Sequence, residues 1–470
     1  MENKTLGQKL TEELTYAPKS AFDLFDDAAM EAADRFALDY RAYLDASKTE
    51  REAVKVSVAE LEAAGYRPFV SGSVLKTGDK FYFVNRNKCL ISVHIGKKNL
   101  AEGIRIVMAH IDSPRLDLKP RPLVEDTDFA YLKTNYYGGI RKYQWPAMPM
   151  ALHGVIYKKN GEAVNVVLGE DPAEPCFTVT DLLPHLARKQ AGRPVEEIVV
   201  GENLKLLVGS RPFKDDKASE KVKLNILKWF FDKYGVTEED FISAEVEAVP
   251  AYASREVGLD GSMIGGYGQD DRVCAYPCHR AMMDVTDPEY TTCCLLCDKE
   301  ETGSDGNTGL ASNFFLNFLE ELAESAGVPV RRMLAKSMCL SADVTPAYDP
   351  AWPEVHDRQN ASFLNKGVAI MKYSGSGGKY STSDASAETM AYFRASLNQA
   401  GVPWQIGCLG AVDAGGGGTL AKYIANLNVD VLDIGVPVLS MHSPFEVTAK
   451  TDVYAAYLAF AAFLKADPKN

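Results

Sequence analysis

The feature that most constrains this chain is a set of short apolar runs, each stopping abruptly in an acid or a histidine. IRIVMA runs into His110-Ile111-Asp112, TTCCLLCDK into Glu300-Glu301, MCLSA into Asp343, and VDVLDIGVPVLSM into His442. Unbroken apolar runs without alternation are what strands buried on both faces require. Helical periodicities over 309–326, 384–400 and 451–465 lie between and after them, and strands alternating with helices predict an α/β sheet covered on both faces. In open α/β sheets ligand sites form at the carboxyl ends of strands, so side chains far apart in sequence converge there. One Asp after a strand is ordinarily a turn former or a helix cap. Four endings made only of Asp, Glu and His, joined by the tandem Asp270-Asp271 of GGYGQDDR, argue for a site.

Two histidines with several carboxylates form a ligand set suited to Zn²⁺, Mn²⁺ or Co²⁺. The surplus of carboxylates over one tetrahedral shell points to two ions sharing a bridging ligand. Such a pair polarises a carbonyl and activates water, which is the chemistry of hydrolysis. Asp112, two residues beyond His110, is placed to accept the other imidazole N–H. Glu300 and Glu301 need different tasks, since a carboxylate engaged as a metal ligand cannot also ferry protons: one binds metal and the other is the base. The other five histidines, His94, His153, His185, His279 and His356, lack this context and read as structural or surface residues. Cys293, Cys294 and Cys297 sit inside an apolar run and read as small buried hydrophobes rather than metal ligands.

Between 119 and 253 the texture changes. GVIYKKNGEAVNVVL predicts a hairpin around Asn160-Gly161, and 217–234 predicts an amphipathic helix. This β-rich unit separates His110 from Asp270, so the chain divides into a discontinuous catalytic domain (1–118 and 254–470) and an insertion (119–253). Two helices, 20–47 and 50–64, open the catalytic part.

With 51 Lys and Arg against 64 Asp and Glu, the 470-residue chain carries a formal charge of −13, which disfavours nucleic acid or an anionic membrane as partner. Nine cysteines in so long a chain make no disulfide framework, and MENKTLGQKLTEELTY lacks the apolar core of a secretory signal, so a reducing cytoplasm is expected. The longest apolar stretch, YAAYLAFAAFL, falls well short of the ~18–20 residues of a membrane span.

Five motifs in order, AHIDSPRL, GQDDRVCA, DKEETGSDGNTG, SADVTPAYDP and MHSPFE, closely resemble the aspartyl aminopeptidase and vacuolar aminopeptidase I family of cytosolic zinc exopeptidases. The resemblance implies that His110, Asp270, Glu301, Asp343 and His442 bind two zinc ions, with Asp270 bridging, Glu300 as general base and Asp112 as partner of His110. It implies a mixed-sheet α/β catalytic domain interrupted by a barrel-like dimerisation domain, and homo-oligomers, dodecamers built from dimers. A lysine near NKGVAIMKY pairs with the substrate side chain in acid-specific members. It corresponds here to Lys372 and implies a preference for N-terminal Asp or Glu; vacuolar-type relatives prefer apolar N-termini. The reading is thus a dinuclear zinc aminopeptidase acting on peptides with a free N-terminus. The alternatives are a related zinc carboxypeptidase or deacylase, or a non-catalytic self-assembling shell protein.

Overall fold

The fold, given by a computed structural model that describes residues 4–465, is organised around a nine-stranded sheet. Its order is Arg67–Pro68, Lys80–Asn85, Cys89–His94, Thr292–Cys297, Arg105–His110, Met338–Ala342, Asp430–Gly435, Val368–Met371 and Trp404–Ile406. The four strands Thr292–Cys297, Arg105–His110, Met338–Ala342 and Asp430–Gly435 are mutually parallel, whereas Cys89–His94 and Val368–Met371 run antiparallel to their inner neighbours. The sheet is therefore mixed with a parallel centre. Side chains alternate between two cores, as the pleat demands. Val107, Ala109, Cys294, Leu296, Leu340, Ala342, Leu432 and Ile434 pack on one side with helices Asp27–Ala46, Glu50–Ala63, Gln269–Asp284, Ala387–Gln399 and Lys450–Lys465. Ile106, Met108, Cys293, Leu295, Cys297, Cys339 and Val431 face the other way, onto Phe314–Ser325, Val330–Leu334 and Ala421–Ala425. Both faces are covered, and the strand cysteines are buried fill.

Local chemistry moves some expected boundaries. The run 20–47 breaks into Ala21–Leu24 and Asp27–Ala46, because the Asp26 carboxylate caps the second helix by accepting the Ala29 N–H at 2.8 Å. The helix expected over 309–326 begins at Phe314, after a loop held by turns such as Gly309 N–H to Gly306 C=O. The run ending at His442 is two strands in different sheets. At Gly435 a Cβ would lie 1.6 Å from the Asp343 carbonyl oxygen, so only glycine permits the crossing, and Pro437–Leu439 then joins a second sheet. That five-stranded sheet has the order Arg255–Val257, Met263–Gly266, Glu446–Ala449, Pro437–Leu439, Thr345–Pro346, and Gly266 is paired with Glu446.

A third sheet of seven strands runs from Arg115 to Pro250 and is entirely antiparallel. The expected hairpin is present between Met150–Tyr157 and Ala163–Leu168, with Gly161 at φ +85° in its turn. A bridge from Phe177 to Met150 brings the far edge back toward the start, curling the sheet like a barrel around Leu116, Leu132, Trp145, Leu152 and Leu206. Its first strand, Arg115–Asp126, begins just beyond His110, so the curled sheet grows directly out of a central strand of the nine-stranded sheet.

Buried charge joins the two layers. Glu50, the first residue of a helix with a Thr49 capping box, lies 3.1 Å from Lys88 Nζ and 3.2 Å from Arg115 Nη1. Arg115 also lies 3.3 Å from Glu247 and 2.9 Å from Asp117. Burial pushes the Glu50 carboxyl up, but Arg115 and Lys88 outweigh it and hold the group down to about 2, against an ordinary 4.5. A carboxyl whose folded value is depressed contributes stability in full above its unfolded value and loses it as pH falls through the folded one. Glu50→Gln is therefore expected to destabilise the protein by about 3 kcal/mol at neutral pH, because it removes the carboxylate that Arg115 and Lys88 share. Denaturant titrations of both proteins should show the gap closing between about pH 4.5 and about pH 2; a gap independent of pH would contradict this.

Candidate metal centre

The ends of the parallel strands meet the second sheet at one cluster of acids and histidines. His110 closes Arg105–His110, and its Nε2 lies 3.0 Å from Asp270 Oδ1 and 3.6 Å from Asp343 Oδ1, just past Met338–Ala342. His442 Nε2 lies 3.1 Å from Asp270 Oδ2 and 3.6 Å from Glu301 Oε2. Two triads result, His110 with Asp270 and Asp343, and His442 with Asp270 and Glu301, each with its donor atoms within 4.8 Å of one another. They share Asp270, which gives one oxygen to each. The adjacent glutamates diverge: the Glu301 side chain is 2% exposed inside its triad, whereas Glu300, 19% exposed, keeps its carboxylate 3.9 Å from His110 Nε2 on the open side.

This arrangement calls for positive charge. His110 Nε2, Asp270 Oδ1 and Glu301 Oε1 are buried without a hydrogen-bond partner among the described residues. Burial, reinforced by neighbouring carboxylates, pushes Glu300 up to about 8 and raises Glu301 and Asp343 as well. Burial would lower His442, yet Asp270 and Glu301 raise it to about 11. Carboxylates gathered out of water are stable only with a cation among them. Two nitrogen and three carboxylate ligands with orphaned atoms facing inward fit divalent metal, zinc included.

The donors are held by a second layer. His110 Nδ1 lies 3.0 Å from the Asp112 main-chain carbonyl oxygen and 3.3 Å from Asp112 Oδ1, which also accepts the Glu300 N–H at 3.2 Å. Asp112 Oδ2 accepts the Glu301 N–H at 3.2 Å and the Tyr137 hydroxyl at 2.8 Å. Asp112 thus orients both the histidine and the Glu300-Glu301 turn, a broader task than the spacing suggested. Glu446, inside the last motif, accepts the Asp270 N–H at 3.1 Å and the His442 N–H at 2.8 Å, clamping the loops that carry the second triad. The paired strands Met263–Gly266 and Glu446–Ala449 set that clamp.

Asp271 is fully buried and belongs to neither triad. Lys372 is not brought to the cluster: it is half exposed, and its ammonium bonds Asp384 at 2.6 Å, as does Lys379. It follows Val368–Met371, which runs opposite to Asp430–Gly435 and so leads back from the end that carries Asp343. His153 bridges Glu52 and Glu170 at 2.8 Å each, and His279 meets Glu60 at 2.9 Å, both away from the triads. Tyr137, and Gly139, whose carbonyl lies 2.7 Å from His442 Nδ1, carry no sequence signal, because nothing in their spacing links them to the motifs.

Comparison with known proteins assigns the chain to a family. Residues 43–464 match the family described as aminopeptidase I zinc metalloprotease (M18). The chain is 45% identical over 454 residues to a probable M18 family aminopeptidase 1 of Clostridium acetobutylicum, covering 95% of this chain and 98% of that one. The crystal structure of an M18 aminopeptidase from Thermotoga maritima superposes with a TM-score of 0.92 at 41% identity, covering 96% of this chain and 100% of that one. Aminopeptidase I from C. acetobutylicum gives 0.91 at 43% identity, with coverage of 96% and 100%. The family sets the carboxypeptidase, deacylase and shell alternatives aside, and the chain belongs to the M18 family of zinc metallopeptidases as an aminopeptidase.

Proposed function

We propose that the protein is a dinuclear zinc aminopeptidase, with Mn²⁺ or Co²⁺ as substitutes, and that Glu300 is its general base. The observation that carries this reading is the division of Asp270, one oxygen toward His110 and the other toward His442. His110 and Asp343 complete one metal position, and Glu301 and His442 complete the other. Zinc held there supplies Lewis-acid polarisation of the scissile carbonyl and of the attacking water. Glu300, on the open side, takes a proton from that water and returns it to the leaving amine, while Asp112 holds the Glu300 N–H and the His110 ring in register. The surplus negative charge of Asp270 and Glu301 attracts the substrate's free α-ammonium.

Lys372, bonded to Asp384 and not brought to the triads, offers an acidic side chain no cation there, so the side-chain preference we propose is for neutral residues over Asp and Glu. The curled sheet forms an inserted domain within a catalytic domain whose two parts are 1–118 and 254–470, and it serves dimerisation. Yeast mApe1, whose solved structure is a dodecamer, shares this fold at 20% identity and a TM-score of 0.75, and a homo-oligomer built from dimers is the assembly we propose here. All nine cysteines are free thiols, which suits a reducing cytoplasm.

Glu300→Gln should retain its zinc by elemental analysis and lose about 10²–10⁴-fold in kcat on a peptide substrate; near-normal turnover would remove Glu300 from its role. A chelator should abolish activity and added zinc restore it, with two ions per chain at full recovery. On a panel of free-amine peptides beginning with Leu, Ala, Lys, Asp or Glu, the Leu and Ala substrates should give the highest kcat/KM. A lead for Asp that Lys372→Met abolishes would reinstate the acidic preference.

A further inference from the structure

Three consecutive residues of the curled sheet reach into the metal cluster from outside the layer that bears it. The strand Phe129–Tyr137 ends in Tyr137, and Gly138 and Gly139 follow. We infer that Tyr137-Gly138-Gly139 forms a strap of positioning residues for both triads, so that the inserted sheet is a structural part of the metal site as well as an assembly module. This inference rests on the dinuclear reading above.

Tyr137 serves the first triad and the base. Its buried hydroxyl donates to Asp112 Oδ2 at 2.8 Å, and Asp112 orients His110 and holds the backbone of Glu300 and Glu301. The phenol cannot drift, because the Arg115 guanidinium stacks 3.9 Å from its ring centre and Lys299, which leads into Glu300, lies 5.3 Å away. Arg115 is the same residue that ties the two layers through Glu50. The docking of the layers and the orientation of Asp112 are therefore set by neighbouring groups.

Gly138 and Gly139 serve the second triad. Gly138 has φ +74°, and a Cβ there would lie 3.0 Å from Glu301 Oε2, the oxygen that faces His442. The positive φ favours glycine, and a side chain there would press on the Glu301 carboxylate. The Gly139 carbonyl can only accept, so the hydrogen of a neutral His442 ring sits on Nδ1, 2.7 Å away, and the lone pair sits on Nε2, which faces Asp270. That is the tautomer a metal ligand needs, fixed by a backbone atom that no side-chain substitution can remove. Generic packing would not aim three successive residues at Asp112, Glu301 and His442.

The test uses the full-length protein and three variants: Tyr137→Phe, Gly138→Ala, and as control Tyr136→Phe, whose side chain is on the exposed neighbouring position. Zinc affinity is measured by chelator competition, alongside kcat, KM and the melting temperature of the metal-free chain. Tyr137→Phe should lower kcat about tenfold with KM changed by less than about twofold, and weaken zinc about 10–100-fold. Gly138→Ala should bind one zinc per chain where the parent binds two, and Tyr136→Phe should match the parent. The strap is overturned if Tyr137→Phe and Gly138→Ala keep parental zinc affinity, or if their kcat losses follow the melting temperature while zinc binding is unchanged. A parent chain that takes up fewer than two zinc ions would instead overturn the dinuclear reading beneath it.

Discussion

Carboxylates repel one another, and out of water that repulsion goes unscreened. Asp270, Asp343, Glu301 and Glu300 meet in a space where all but Glu300 are almost wholly buried, and among the described residues the ion pairs of Asp270, Asp343 and Glu301 are with histidines. The cost of this gathering is offset only by a cation, so the free energy of metal binding is also part of what holds the strand ends together. Asp270 is where the constraint concentrates. Its two oxygens face different histidines, each delivered by a different sheet.

The surrounding architecture supplies rigidity at the points where that electrostatic demand would otherwise distort the chain. Four parallel strands bring His110, the Glu300-Glu301 turn and Asp343 to one edge. The five-stranded sheet brings Asp270 and His442 to the same edge, with Glu446 binding both backbones. Asp112 and Glu446 play matching parts: each is a buried carboxylate that satisfies main-chain N–H groups of the ligand loops instead of binding metal. Neither can be exchanged for an apolar residue without leaving buried donors unpaired.

Much of this was legible in the chain because buried parallel strands write themselves as unbroken apolar runs. Where such a run ends in His110, Glu300-Glu301, Asp343 or His442, the ending is visible without coordinates. Other features are contacts between distant residues and leave no periodic trace. Nothing in GQDDR separates Asp270, which belongs to both triads, from Asp271, which belongs to neither. Lys372 stands in a recognisable segment, but its ion pair with Asp384 is a property of the folded loop. The break at Asp26 turned on a single capping bond, and the split at Gly435 on a carbonyl passing where a side chain would stand. The strap from Tyr137 to Gly139 was invisible because its partners lie hundreds of positions away at one end and on another sheet.

The insertion has a consequence for the order of events during folding. The residues of the centre span from His110 to His442, and the whole curled sheet is threaded between His110 and Asp270. Contacts of such sequence separation form late, after the local hairpins and helices that shorten the loops between them. The chain cannot bring the two triads together until both layers have folded and docked. Under that order metal uptake follows the docking of the layers rather than preceding it.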